Sequence, residues 1–435
     1  MQLTRLVIDC GTAFQGDPLT FLGRIAAEHG DLVAFDLHGA PHLLINDPEL
    51  IHAVLVEHAA KFQRTDHTRQ SLGRFLGNGL LVSDGALHRQ QRQRLQPAFY
   101  HQQLVRYAAQ MIAHVQRTIA NWQTDAPCDV HRAMLHLTLG IVTDVLFGTD
   151  ASDIVADMEK LSEAISASQG REWLPSAERL RAEQADQVLL ERINRRIMRL
   201  IAQGRAAESS PGNLLDLLVR ATEDSQMTDQ QARDEIITLF TAGHESTAMT
   251  LTWALLMTAL HSDVQARLRA EASHIFGERS PQPEHYPQLR YTQMVLRETT
   301  RLYPTAWILF LRLLTEDLTL RDVPLRAGTT VIISPFVLQR DSRFYVQPDR
   351  FEPERFAEGW ERTRPRFAYL AFGGGERICI GQHFALQEAT FTLASLVQRF
   401  NILPEPDYRI ELMPLTVLQP RRAVRLRFLP RWSEQ

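Results

Sequence analysis

The chain has 435 residues and a formal net charge of −4, with 44% hydrophobic and 23% charged residues. That balance belongs to a folded globular protein with a large core, not to a disordered or fibrous one, and the acidic excess argues against nucleic acid as the main partner. Lys61 and Lys160 are the only lysines, so the positive charge is nearly all arginine, suited to bidentate pairing with carboxylates; Cys10, Cys128 and Cys379 are too few and scattered for a disulfide framework. A reducing, cytoplasmic home is expected.

The N-terminus from Met1 to Thr20 carries Asp9 and Asp17 and no long apolar run, so neither a signal peptide nor a membrane anchor is expected. Leu32–Leu37 and His42–Ile45, separated by Gly39, read as a hairpin, with a helix starting near Asp47-Pro48. Helical spacing dominates from about Pro97 to Glu278, with breaks at Thr124–Pro127, Ser168–Pro175 and Gly204–Gly212. Ala248–Leu260, the most hydrophobic stretch, falls short of the roughly 20 residues a spanning helix needs. The longest helix is predicted from a capping box at Thr228–Gln231 to about His261. Beyond a helix ending at Tyr303-Pro304 come a strand at Thr329–Ile333, irregular chain from Asp341 to Phe372, a helix from about Gln382 to Phe400, and closing strands. Repeats, low-complexity tracts and Pro/Gly/Ser-rich linkers are absent, and length alone leaves one large domain or two to three smaller ones open.

The segment Phe372-Gly373-Gly374-Gly375-Glu376-Arg377-Ile378-Cys379-Ile380-Gly381 sets one cysteine among glycines just before a helix. A neighbouring arginine, turn N–H groups and a helix N-terminus all favour a thiolate, and glycine lets backbone approach a flat ligand closely. Other motifs fail on spacing: the triple glycine is not Gly-x-Gly-x-x-Gly after a strand, no Gly-Lys-Ser/Thr follows, Cys379 with His383 lacks two further zinc ligands, and Gly243-His244-Glu245-Ser246 does not fit Gly-x-Ser-x-Gly.

The segment resembles the haem-binding signature of cytochromes P450, Phe-x-x-Gly-x-Arg-x-Cys-x-Gly, met at Phe372, Gly375, Arg377, Cys379 and Gly381. The resemblance implies a haem-thiolate monooxygenase with Cys379 as axial ligand to the iron of haem b, where a thiolate favours O–O cleavage. Three further elements resemble the family, in its order. Asp84–Arg92 matches Trp-x-x-x-Arg with His88 in place of tryptophan, so His88 and Arg92, with Arg312 and Arg377 by position, are implied partners of the haem propionates. Ala242-Gly243-His244-Glu245-Ser246-Thr247 resembles the oxygen-activation segment: Ala242 lies against haem, Gly243 gives room for haem and dioxygen, the hydroxyls of Ser246 and Thr247 bond back and open a kink, and Glu245 and Ser246 relay protons. Serine stands where threonine is commoner, which points to more peroxide leakage. Glu298-x-x-Arg301 and the Pro353-Glu354-Arg355-Phe356 segment resemble the family's structural network of Glu298, Arg301 and Arg355.

By the same resemblance Phe372, Gly373 and Gly381 border the cofactor, and Phe75, Leu76, Leu80, Val82, Leu239, Thr305, Ala306, Leu309, Leu415 and Thr416 line the substrate pocket. It extends from about Asp17 to Leu429 and implies a single domain over residues 1–435, mainly α with small β-sheets, with 1–16 as a poorly ordered lead-in. The expected substrate is a small apolar molecule. The expected electron donor is a separate ferredoxin or flavodoxin-type protein with its reductase, meeting Arg89, Arg94, Arg362, Arg364 and Arg366, and the protein is expected to be a monomer.

Overall fold

The computed structural model describes residues 4–37, 39–122, 124, 126–148, 152–168, 176–206 and 212–431. Most of the breaks expected at 168–175 and 204–212 therefore lie outside the described residues. The protein is mainly α with small sheets, and its chain divides into two compact units.

The first unit comprises Met1–Arg69, Arg297–Cys379 and Leu412–Gln419. Its six-stranded sheet runs in the order Thr4–Asp9, Leu32–Leu37, Ala40–Ile45, Thr330–Ile332, Arg312–Leu314, Phe62–Arg64. The expected hairpin is present, with Leu32 opposite Ile45. Successive side chains leave a strand on opposite faces. Accordingly Leu43 and Val331 join one apolar cluster with Leu50, Val54 and Leu370, while Leu44 and Ile332 join another with Leu22, Ile25 and Trp307. Both faces are covered, which explains the unbroken apolar runs at these strands. Of the lead-in expected over residues 1–16, Thr4–Asp9 is a strand paired in parallel with Leu32–Leu37, and Gly11–Gly16 is helical.

The second unit comprises Gln70–Leu296, Ile380–Glu411 and Pro420–Gln435. The helices on which the candidate residues depend are, in chain order, α1 (Gly85–Leu95), α2 (Val130–Val142), α3 (Ser152–Ser168), α4 (Asp229–Leu260), α5 (Arg290–Leu302) and α6 (Gln382–Arg399); α5 ends in the first unit. A reciprocal capping box starts α4: Gln231 N–H donates to Thr228 Oγ1 at 3.2 Å and Thr228 N–H to Gln231 Oε1 at 2.8 Å. α4 is buried on nearly every side, with Arg233, Asp234, Glu235, His244 and Glu245 among its buried residues, and α2 packs along it. The segment Val130–Phe147, begun by α2, is by length and composition apolar enough to cross a membrane, and 61% of it is buried inside the protein. Phe391 and Ala394 of α6 pack on Ala108, Ile112, Ala272 and Phe276.

Candidate active site

Cys379 lies on the first unit's surface with its side chain exposed. Its N–H donates to Phe372 O at 2.9 Å and Gly373 N–H donates to Leu370 O at 2.8 Å, folding residues 370–379 into a compact loop. Gly375, at φ +69°, pins that loop: a Cβ there would stand 2.0 Å from Leu55 O, so only glycine permits both the conformation and the approach. Arg377 and Phe372 are half-buried beside it. Gly381 is the N-cap of α6 in the second unit.

Behind the loop, Glu298 and Arg301 are fully buried one turn apart on α5. Arg301 uses all five N–H donors: Nε and one Nη reach the Glu298 carboxylate at 2.6 and 2.8 Å, and the others reach Gln339 O and Pro348 O at 2.7 Å and Arg350 O at 3.1 Å. Arg355 Nε lies 3.4 Å from Glu298, whose carboxylate also accepts from Glu352 N–H at 2.8 Å. Burial raises the Glu298 pKa, while the Arg301 hydrogen bonds, the Glu352 N–H and Arg355 pull the other way. Gln339, which sequence reasoning missed, carries this cluster to the loop: its amide donates to Thr300 O and Arg301 O at 3.1 and 3.0 Å, and its oxygen accepts from Leu370 N–H at 2.7 Å. No local pattern marks Gln339, because its role arises from tertiary contact.

Arg312 is buried in the sheet and stands in register opposite Arg64, also buried, whose guanidinium lies 4.5 Å from the Phe310 ring centroid. Like charges directly opposite on neighbouring strands are destabilising by themselves. Two guanidiniums so placed suit an anionic group, and Arg64 was invisible because strand register cannot be read from one segment. Among the residues expected to line the pocket, Thr305 O accepts from Leu418 N–H at 3.0 Å and Leu415 O accepts from Trp307 Nε1 at 2.8 Å, which brings the half-buried segments of Thr305, Ala306 and Leu309 and of Leu415 and Thr416 together. Arg364 departs from the expected docking face: it stacks 4.6 Å from Tyr345, 5.5 Å from Phe356 and 5.8 Å from Trp360 and donates to Arg355 O. Arg362 and Arg366 are exposed.

In the second unit, His88 is buried on α1, and Arg92 lies half-buried one turn on. Arg89 is exposed and Arg94 half-buried. Between Ala232 and Thr258, α4 is buried except at Thr241, Ala242, Gly243, Ser246 and Thr250. The hydroxyls bond back as expected from their chemistry, Ser246 to Ala242 O at 2.8 Å and Thr247 to Gly243 O at 3.1 Å, within a helix that is continuous from Asp229 to Leu260. Glu245 is buried, and burial raises its pKa, with Ser162 of α3 beside it working the other way. Ser246, by contrast, is half-buried. A Cβ at Gly243 would lie 3.3 Å from Val142 Cγ2, so α2 packs closely against this turn of α4. Phe75 and Leu76 are fully buried, and Leu80, Val82 and Leu239 nearly so.

The chain matches the family model Cytochrome P450 over residues 7–428. It is 36% identical over 411 residues to cyclooctatin synthase of Streptomyces melanosporofaciens, covering 91% of this chain and 88% of that one. Pentalenene oxygenase of Streptomyces avermitilis is 32% identical over 428 residues, with 96% and 94% covered, and cyclooctat-9-en-7-ol 5-monooxygenase of Streptomyces melanosporofaciens is 31% identical over 404 residues, with 89% and 86% covered. The chain belongs to the cytochrome P450 family, haem monooxygenases that insert one oxygen atom from O2 into apolar organic substrates and draw electrons from separate redox partners.

Proposed function

We propose that this monooxygenase carries haem b on Cys379 and hydroxylates or epoxidises a ring-containing, largely hydrocarbon substrate of terpenoid type. The exposed thiol on a glycine-pinned loop, backed by the Arg301–Gln339 hydrogen-bond chain, carries the ligand assignment. The first unit's donor set suits the cofactor: a soft sulfur for iron, and the guanidiniums of Arg312, Arg64 and Arg377 for carboxylates; His88 and Arg92 enter as further propionate partners on the family resemblance alone. When bound, haem supplies the redox chemistry that activates dioxygen, with the thiolate donating electron density. Glu298, Arg301 and Gln339 hold the loop that presents Cys379. Ser246, donating to Ala242 O, keeps lone pairs free to accept a proton on the accessible side of α4, and Glu245 holds a proton more firmly than a solvated carboxyl. Leu80, Val82, Leu239, Thr305, Ala306, Leu309, Leu415 and Thr416 supply apolar contacts.

The terpenoid class rests on the relatives' names, which denote a ring alkene and an unsaturated ring alcohol. A single catalytic domain, a cytoplasmic monomer, and a ferredoxin or flavodoxin-type donor that meets Arg89, Arg94, Arg362 and Arg366 complete the reading. In the reduced, carbon-monoxide-bound protein the expected absorption is the red-shifted band of thiolate ligation, lost in Cys379→His; an unchanged spectrum in that variant overturns the assignment. A ferric Soret shift on adding cyclic terpene alkenes, absent with fatty acids of equal size, tests the substrate class.

A further inference from the structure

The loop between Leu76 and Gly85 is fixed to the beginning of α4 by two neighbouring carboxylates. Asp234 accepts from Asn78 N–H at 2.9 Å, and from Gln230 and Arg233 at 2.9 Å each. Glu235, fully buried, accepts from Leu80 N–H at 3.0 Å. Two N–H groups of one short turn are thus taken by side chains of α4, so the turn is hydrogen-bonded to the helix and not merely packed beside it. The glycines agree. A Cβ on Gly79 would stand 2.1 Å from Thr238 Oγ1 and 2.6 Å from Asp234 O, so backbone lies directly on the helix there. From the other side, Gln91 of α1 donates to Asn78 O at 2.6 Å and accepts from Ser83.

We propose that Asp234 and Glu235 are positioning residues that set the ligand range of this monooxygenase by fixing the Asn78–Leu80 turn, and with it Leu80 and Val82, on α4. The proposal rests on the reading that Leu80 and Val82 contact substrate. Glu235 is the more informative of the two acids. Its Oε1 has no hydrogen-bond partner among the described residues, and burial pushes its pKa up to about 8, so the protonated carboxyl is the form that meets Leu80 at neutral pH. A glutamine carbonyl can take that same N–H.

The test uses haem-loaded protein and two iron-ligating probes, imidazole and the longer 4-phenylimidazole, with Kd values read from the Soret shift. Glu235→Leu leaves Leu80 N–H buried without an acceptor and should weaken 4-phenylimidazole about tenfold while imidazole stays within about twofold. Glu235→Gln should restore the selective affinity. Gly79→Ala, which forces the turn off α4 with both acids in place, should reproduce the Glu235→Leu pattern. If both perturbing variants leave the ratio of the two Kd values unchanged while Leu80→Ala alters it, the carboxylates do not set the loop and the proposal falls. If Leu80→Ala also leaves the ratio unchanged, it is the substrate-contact reading that has failed, and the proposal falls with it.

Discussion

Two buried glutamates, one in each unit, reach opposite electrostatic solutions. Glu298 is fully buried and meets Arg301 through two hydrogen bonds, Glu352 N–H through a third, and Arg355 at 3.4 Å. Glu388, equally buried on α6, has no hydrogen-bond partner for either carboxyl oxygen among the described residues, and burial raises its pKa well above the ordinary carboxylate value. Burial alone therefore does not define a buried acid's state. Donors do: Glu298 is one half of a satisfied ion pair that shapes the backbone, and Glu388 is a neutral acid that keeps its proton.

The largest expected effect comes from removing the cation on the satisfied side. Arg301→Ala strands the Glu298 charge and removes the donors from Gln339 O, Pro348 O and Arg350 O. A loss of roughly 3–5 kcal/mol is expected, read as a lower denaturant midpoint. Arg301→Lys should recover little of it, because an ammonium with three donors cannot replace a five-donor fork. A lysine variant as stable as the parent would show that the charge, and not the geometry, carries the cluster.

The same contrast explains what could be read in advance. Glu298 and Arg301 are three apart on a helix, so their shared face was legible from local spacing, whereas the part of Arg355 was legible only through the resemblance of the Pro353-Glu354-Arg355-Phe356 segment to the family. Helix α4 was legible for a similar reason, since Thr228 and Gln231 form a local cap. Gln339, Arg64 and Glu388 carry no such signal: the first two take their roles from tertiary contact and strand register, and the third sits in an ordinary helical sequence. The approach of Val142 to Gly243 was equally hidden, because it depends on how α2 packs.

On the unsatisfied side, a variant should help rather than harm. Glu388→Met replaces an unpartnered buried acid by an apolar side chain of similar length, and a gain of about 1–3 kcal/mol is expected at neutral pH. The pH dependence sharpens this. In the unfolded chain the carboxyl releases its proton near 4.5, whereas the folded protein retains it to much higher pH. The folded state thus binds the extra proton, so the parent loses stability from this group as pH rises above 4.5 and the methionine variant does not. Parallel denaturant titrations at about pH 6 and about pH 9 read the difference; equal slopes with pH would mean that Glu388 has found a partner after all.

His244 stands between the two extremes and should show the smallest effect at neutral pH. It is fully buried on α4, bonds Phe240 O through Nδ1 at 2.6 Å, and leaves Nε2 without a hydrogen-bond partner among the described residues. Burial pushes its pKa down to about 4, with the Phe240 carbonyl opposing and His131 reinforcing the shift. Here the unfolded chain binds the proton first, at about 6.5, so stability from His244 is complete above that pH and drains away as pH falls toward 4. Against His244→Gln, which keeps a polar side chain without the titration, the parent should lose about 2–3 kcal/mol between pH 6.5 and pH 4 and differ little at about pH 7. The sign is opposite to that of Glu388 across the shared window, so the two contributions separate in the variants even though they partly cancel in the parent.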